Sequence, residues 1–576
     1  MVVVSLGSHE RTLPNQYSVK SGAESALATL LTVCGDEIPQ EFTDRVHHVA
    51  FNAHAGDQIF FPCPLKEQEA VASIKALEGL AAAAIADLRQ GPRTRSIEID
   101  MAKVACFLMS AYLCTIDGMD KAHPRVKDKI TDLYRRLSAN LYETRTPGEF
   151  YHIHGSLEAS KTLRMIGLPA FDPKMRDYKT CIATIEAAVK RFTVAELEDM
   201  NSREGQAGIP VLKSEQFRQS KHGQALLSLP PFTVQSLEAA TPPTPFGQQD
   251  AHVDAGLTSG HCLRSVRVVE LCRVIAGPAI GRSLAAHGAQ VIKVTSPELP
   301  DVPFFQVDVN TGKHTTSLNL RKPEDRQVLD LLLASADVFI DGYRPGSLDR
   351  LGYGSQHLKK LALARGKGFV YVAEDCFGGT GTDVARDAEW SARPGWQQIA
   401  DCATGVAWEQ GRFMGLNEPV VPPFPMSDYG TGALGCLSAM VGLYRRATLG
   451  GSWECRTSLC QYNLFLLELG SHAPDIQSRL RKLHDPAFFE LRHHDSVDEV
   501  GRQALRSIRS LHPVLFSEDM MQTAWSEAFQ AEVRWPREAL TVDGATVRHV
   551  RATRPNGYDA ATWDHWEEQD DMIWEE

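Results

Sequence analysis

Among the twelve cysteines there is no CxxC pair and no regular spacing. That argues against a disulfide framework or a zinc ribbon, and for reduced thiols scattered through a core. HExxH, G-x-S-x-G and the P-loop lysine motif are absent too. Nothing therefore marks zincin, serine-hydrolase or P-loop chemistry. His47, His48 and His54 lie near one another, and His152 and His154 share one face of a strand. Neither group has metal-ligand spacing, so no metal is expected. Positive charge is in short supply: 60 Lys and Arg face 72 Asp and Glu, for a net charge of −12. No basic stripe stands out, so no nucleic-acid partner is expected, although a local pocket can still bind an anion. Long apolar runs are missing. "GLAAAAIADL" breaks off after a few residues, far short of a membrane span, so no membrane partner is expected. The opening MVVVSLGSHERTLPN has too short an apolar run for a signal peptide, so none is expected there, and no lipidation or peroxisomal address is read in DDMIWEE. The expected compartment is the cytoplasm.

What is present is a chain long enough for several domains, with ordinary globular composition: 43% hydrophobic and 23% charged residues. Residues 1–60 read as a helical segment, with "SALATLLTVCG" stopped by Gly35. From Pro64 a long Ala-rich helix runs to a Gly91-Pro92 break, and "SIEID" then alternates like a strand. Residues 61–236 form one expected unit, 237–262 a Pro- and Gly-rich linker, 263–475 a second unit, and 476–576 a charged tail. After the linker, "VRVVEL", "QVIKVTSP", "DVFIDGY" and "GFVYVAED" are short apolar strands alternating with helices. The pattern predicts an α/β fold with a doubly wound parallel sheet, its ligand at the carboxyl ends of the strands. A second α/β part is expected from the N-terminal half.

Residues 61–108 echo 423–466: Pro-x-Pro, an acid, an Ala-rich helix, a Gly break, a strand and a helix. The acid is Glu67 in the first and Asp428 in the second, within "FPMSDYGTGALGCLSAM". Locally, Asp428 reads either as a helix cap or as a carboxylate at a cleft beside Gly430 and Gly432, whose amides would be open. "RVIAGP" reads either as a tight strand–helix turn or as a ligand-contacting one; it is not GxGxxG. Arg344 and Arg350 flank a Pro-Gly turn, either to grip phosphates or to pair with Asp341 and Asp349.

The segments "VRVVELCRVIAGPAIGRSLAAHGAQVIKVTSPELPD", "NTGKHTTSLNLRKPEDRQVLDLLLASADVFIDGYRPGSLDRLGYG" and "PMSDYGTGALGCLSAMVGLYRR" together resemble the class III CoA-transferases. That family includes formyl-CoA and carnitine CoA-transferases and is related to the α-methylacyl-CoA racemases. The N-terminal half resembles the family's later part, so the two parts stand in rearranged order. The resemblance implies a Rossmann-like fold and a homodimer. It implies transfer of CoA from an acyl-CoA to a carboxylic acid through an aspartyl anhydride and thioester at Asp428. Contacts to coenzyme A would fall on Val274, Ile275, Ala276, Lys313, Arg350, Trp396 and Gly430. Glu158 matches an acid that the racemases place near their active site. Two departures stand out. Ser296 replaces a frequent basic residue, and Trp396 stands where the racemases carry a proton-exchanging histidine. The alternatives are an acyl-CoA isomerase using Asp428 with another base, and a degenerate CoA-binding protein without catalysis.

Overall fold

The computed structural model describes residues 17–126, 132–155, 157–247, 260–564, 566 and 573. The stretch read for a signal peptide, residues 248–259 of the expected linker and most of the terminal DDMIWEE lie outside the described residues. Among the described residues no helix is long and apolar enough to cross a membrane.

Seven strands form the central sheet: β1 (Phe232–Glu238), β2 (Arg267–Leu271), β3 (Gln290–Thr295), β4 (His314–Ser317), β5 (Val338–Asp341), β6 (Val370–Asp375) and β7 (Ser452–Ser458). Their spatial order is β4-β3-β2-β5-β6-β7-β1. All neighbours run parallel except β7 and β1. The expected α/β doubly wound sheet is thus observed. Its strands are apolar on both faces because helices cover both. Val268, Val338, Ile340, Val370 and Val372 join the core on one side. Val269, Phe339 and Tyr371 join a separate core on the other. That alternation is the period-two rule of a strand buried on both faces. The order reverses between β2 and β5, so their carboxyl ends open the crevice where α/β sheets bind ligands.

Five helices position the site: α1 (Glu67–Gln90), α2 (Ala276–Ala286), α3 (Gln397–Thr404), α4 (Met426–Thr448) and α5 (Leu459–Glu468). Helix α4 is buried almost throughout, on every side, as its run of small and apolar residues demands. Its glycines permit the burial. A Cβ on Gly432 would lie 2.5 Å from Ala279 Cβ of α2, and one on Gly435 2.4 Å from Ile280 Cδ1. These contacts hold two helix backbones close together.

A second, smaller sheet lies beside α1. Val49–Asn52 runs parallel to Ile97–Asp100, which pairs antiparallel with Leu540–Val542. It repeats the β6-β7-β1 edge of the large sheet: parallel, then antiparallel. A third sheet, Ala139–Glu143, Phe150–His154 and Ala207–Pro210, is antiparallel and packs its own core under helices Tyr178–Val189 and Val194–Glu204.

Two expected boundaries change. Residue 237 falls inside β1, a strand of the central sheet, so that sheet draws on both sides of the linker. The described residues of the expected tail, 476–576, pack into the rest of the fold. Met521–Ser526 pairs with Ala531–Pro536, which pairs in turn with Thr115–Ile116; Leu540–Val542 pairs with Ile97–Asp100, and Arg554 offers its carbonyl to Asn310 at 2.9 Å. Its alternating apolar residues find partners far away in sequence.

Candidate active site

Asp428 is the third residue of α4 and is 8% exposed. It is not a cap: the N-cap residue is Pro425, and no side chain caps this helix end. Among the described residues no donor or cation is paired with its carboxylate. Burial pushes Asp428 well above the usual carboxylate range, and the Asp401 charge pushes it further. Buried charges are ordinarily paired, so an unpaired one at the sheet's crevice is a site signal.

The acids around it are held. Asp401, on α3, accepts hydrogen bonds from Ser427 Oγ at 2.7 Å, from Asn463 Nδ2 at 2.9 Å and from Gln397. Burial raises it to about 6 in spite of those donors. Glu67, at the start of α1, accepts from Tyr462 Oη at 2.8 Å. Burial raises Glu67 to about 8, and the Asp401 charge adds to the rise. The two acids of the internal echo therefore share one neighbourhood, with Asp401 acting on both. Tyr112 is raised to about 12 by burial and by the Asp428 charge, which places it within the same field.

At the carboxyl ends of the strands, Asp341 accepts from Tyr371 Oη at 2.8 Å and from the Tyr343 amide at 3.0 Å. Asp375 accepts from the Gly378 amide at 2.5 Å. Glu374, between them in the crevice, is paired with no donor or cation among the described residues. Two arginines follow β2 and β5. Arg273 lies over the Tyr343 ring at 5.7 Å and donates to the Pro300 carbonyl. Arg344 reaches the Gly205 carbonyl at 3.4 Å and is pushed down by burial and by Arg273. Neither side chain is in an ion pair among the described residues, which leaves both cations available to an anion.

The turn between β2 and α2 carries Val274 at φ 66°, a left-handed conformation that costs a β-branched residue energy and marks functional turns. The Val274 amide is taken by Asp301 Oδ1 at 3.3 Å; Ile275 and Ala276 are buried behind it. Lys313 does not reach a ligand surface. It is fully buried, with its ammonium 2.6 Å from both Glu270 Oε2 and the Pro278 carbonyl. Arg350 points outward and donates to Ser347 Oγ at 3.1 Å. Trp396 precedes α3 and stacks on His154 at 5.8 Å, which ties the antiparallel sheet to the site helix. Gly430 is not open to a ligand: a Cβ there would lie 2.0 Å from the Tyr462 ring. Its smallness admits the tyrosine that holds Glu67. Glu158 is not beside Asp428. Its carboxylate is largely exposed, bonds Ser160 and Arg135, and is pushed down to about 2 by those bonds. Glu374 and Asp401 had no motif to flag them, and Arg273 was marked only as the first residue of the "RVIAGP" turn.

The match to known proteins decides the family. Residues 263–478 fit the model of CoA-transferase family III. "Acetyl-coenzyme A transferase nodX" of Hypoxylon pulicicidum is 31% identical over 547 residues, covering 91% of this chain and 90% of that one. The chain belongs to CoA-transferase family III. An "Acyl-CoA transferase" of Gibberella moniliformis is 34% identical, over 72% of this chain and 73% of its own. "Succinyl-CoA:glutarate CoA-transferase" of Mus musculus is 31% identical over 200 residues, 33% of this chain and 43% of its own. This family III enzyme thus presents an unpaired acid, Asp428, at the start of a buried helix, and two unpaired arginines at the sheet's switch point.

Proposed function

We propose that this family III CoA-transferase moves CoA from an acyl-CoA donor to a carboxylic acid acceptor, with Asp428 as covalent nucleophile. The single observation that carries the reading is the buried, unpaired Asp428 carboxylate. Removed from water and lacking a donor, it is a stronger base and a better nucleophile than an exposed aspartate.

An Asp428 oxygen attacks the thioester carbon. The carbon–sulfur bond breaks with its electron pair on sulfur, leaving an aspartyl anhydride. The sulfur then attacks the Asp428 carboxyl carbon and releases the donor carboxylate, leaving an aspartyl-CoA thioester. The acceptor carboxylate displaces CoA from Asp428, and CoA recaptures the acyl group. The mouse relative's name, which joins a CoA thioester to a dicarboxylic acid, supports carboxylate exchange. Arg273 and Arg344 supply the positive charge that the phosphates of CoA require. Replacing Arg344 by Gln should raise KM for acyl-CoA roughly 10-fold with kcat little changed, the signature of a binding contact; an unchanged KM in a steady-state assay would remove Arg344 from the CoA site.

The cytoplasmic assignment is supported by twelve buried cysteines, all free. The homodimer implied by the family resemblance is tested by light scattering. The central test is trapping. Incubation with acyl-CoA and mass spectrometry should find an acyl or CoA adduct on Asp428 that Asp428→Asn abolishes. Absence of any adduct, with deuterium entering the acyl α-carbon, selects isomerisation instead; Glu374 is the observation that keeps that reading open, since it offers a second proton carrier.

A further inference from the structure

Five carboxyl groups gather around the crevice, and six of the surrounding donors are spoken for by three of them. Asp341, Asp375 and Asp401 all accept hydrogen bonds. Glu374 and Asp428 are the two that none of these donors reaches.

Their placement follows from the fold. On β6, Val370, Val372 and Glu374 alternate onto one face, and the two valines pack in the core shared with α2 and α4. Glu374 therefore ends the strand on the side from which α4 presents Asp428. Its room is made by glycines. A Cβ at Gly277 would lie 3.4 Å from Glu374 Oε2, and one at Gly342 3.5 Å. Gly277 opens α2 and Gly342 follows β5, so the carboxyl stands between the two loops of the switch point. Glu374 is 8% exposed, as Asp428 is.

Two unpaired carboxyls so placed do not both ionise readily. Burial pushes Glu374 far above its usual range, and the charges of Asp375, Asp428 and Asp341 push it further. Burial and Asp401 push Asp428 up as well, but Glu374 carries the charges of three acids besides its burial, so of the two Glu374 is the better placed to hold a proton. One group is left as a base and nucleophile, the other as an acid.

We propose that Glu374 is the catalytic acid for release and recapture of the CoA sulfur. The proposal rests on the reading of Asp428 as nucleophile. As Asp428 bonds the thioester carbon and the carbon–sulfur bond breaks, the Glu374 proton passes to sulfur. The products are CoA thiol, the Asp428 anhydride and the Glu374 carboxylate. When sulfur attacks again, Glu374 takes the same proton back, so no net proton is gained or lost.

The test compares two thioesters of one acyl group in the first half-reaction, with acyl transfer to Asp428 followed by rapid-quench mass spectrometry. One is the CoA thioester. The other is an aryl thioester, whose acidic thiol leaves without a proton. Glu374→Gln should slow acyl transfer from CoA about 10²- to 10⁴-fold, the usual contribution of general acid catalysis. The aryl thioester should react within about 3-fold of the native rate. The native enzyme should also lose rate at alkaline pH with the CoA thioester and keep it with the aryl one; that profile tests the proposal even if Glu374→Gln does not fold. Equal losses with both thioesters would overturn the proposal, as would an unchanged rate with CoA. Deuterium uptake at the α-carbon that depends on Glu374 would overturn it too. If the native enzyme forms no adduct on Asp428 at all, the nucleophile assignment has failed, an outcome distinct from those of the Glu374 comparison.

Discussion

The molecule contains two versions of one arrangement, and they differ at the acid. In each, a Pro-rich entry leads to a long buried helix with an acid in its first turn, followed by a short strand and a helix. In the complete version the strand joins a seven-stranded sheet, and the acid, Asp428, has no partner among the described residues. In the reduced version the strand joins a three-stranded sheet, and the acid, Glu67, is held by Tyr462. Among the described residues the reduced sheet has no counterpart of β2 and β5, hence no switch point of its own. A buried carboxylate next to a crevice can be left bare for a substrate. One without a crevice must find a donor inside the protein or stay neutral.

The largest effect that can break this comparison is catalytic. Asp428→Asn should lower CoA transfer on the order of 10³-fold or more, while Glu67→Gln should leave kcat within about 3-fold. Similar losses in both, measured by steady-state assay, would show that the two acids act as a unit. Next comes stability against pH. Glu67 sits near 8 folded, against an ordinary carboxyl unfolded, so ionisation opposes folding. Native stability is therefore full below the unfolded value and declines as pH rises towards 8. Glu67→Gln removes that decline. Denaturant titration should find the variant roughly 3 kcal/mol more stable at pH 7 and equal to native near pH 4.

A smaller contrast lies in the glycines. Gly432→Ala puts a methyl 2.5 Å from Ala279 Cβ and 3.2 Å from the Ala276 carbonyl, so a backbone must move. A loss of about 1–3 kcal/mol is expected. Gly79→Ala in α1 meets only the Ile97 and Leu540 side chains, and alanine's higher helix propensity offsets part of the clash. Its loss should stay under about 1 kcal/mol by the same denaturant titration. The least effect is expected of Tyr462→Phe, which removes the donor to Glu67. It should cost about 1 kcal/mol of stability and leave the KM for acyl-CoA unchanged.

The strands of the central sheet were legible because each is a short apolar run bounded by Gly, Pro or Asp, and parallel strands buried on both faces need little else. "VRVVEL", "QVIKVTSP", "DVFIDGY" and "GFVYVAED" all became neighbouring strands. The echo between 61–108 and 423–466 was legible as order of elements. Glu158 was misplaced because its local motif says nothing of where the antiparallel sheet docks; it ends beside Arg135. Gly430 was misread because a glycine after an acid looks open in one dimension, whereas the Tyr462 ring arrives from α5, thirty-odd residues later. Lys313 was misread because a lysine's partner is invisible in sequence when it lies on another strand, here Glu270 of β2.

By itself the sequence determined the sheet, the long buried helices and the acid at the head of each, since period, breakers and composition are properties of neighbours along the chain. Only the tertiary structure decided which acid stays bare. Donors such as Ser427, Asn463 and Tyr462 come from separate helices, and whether they reach a given carboxylate depends on distances of a few ångströms that folding alone sets. By the same distances Asp401 and Glu67 are satisfied, and Asp428 and Glu374 are left without a partner among the described residues.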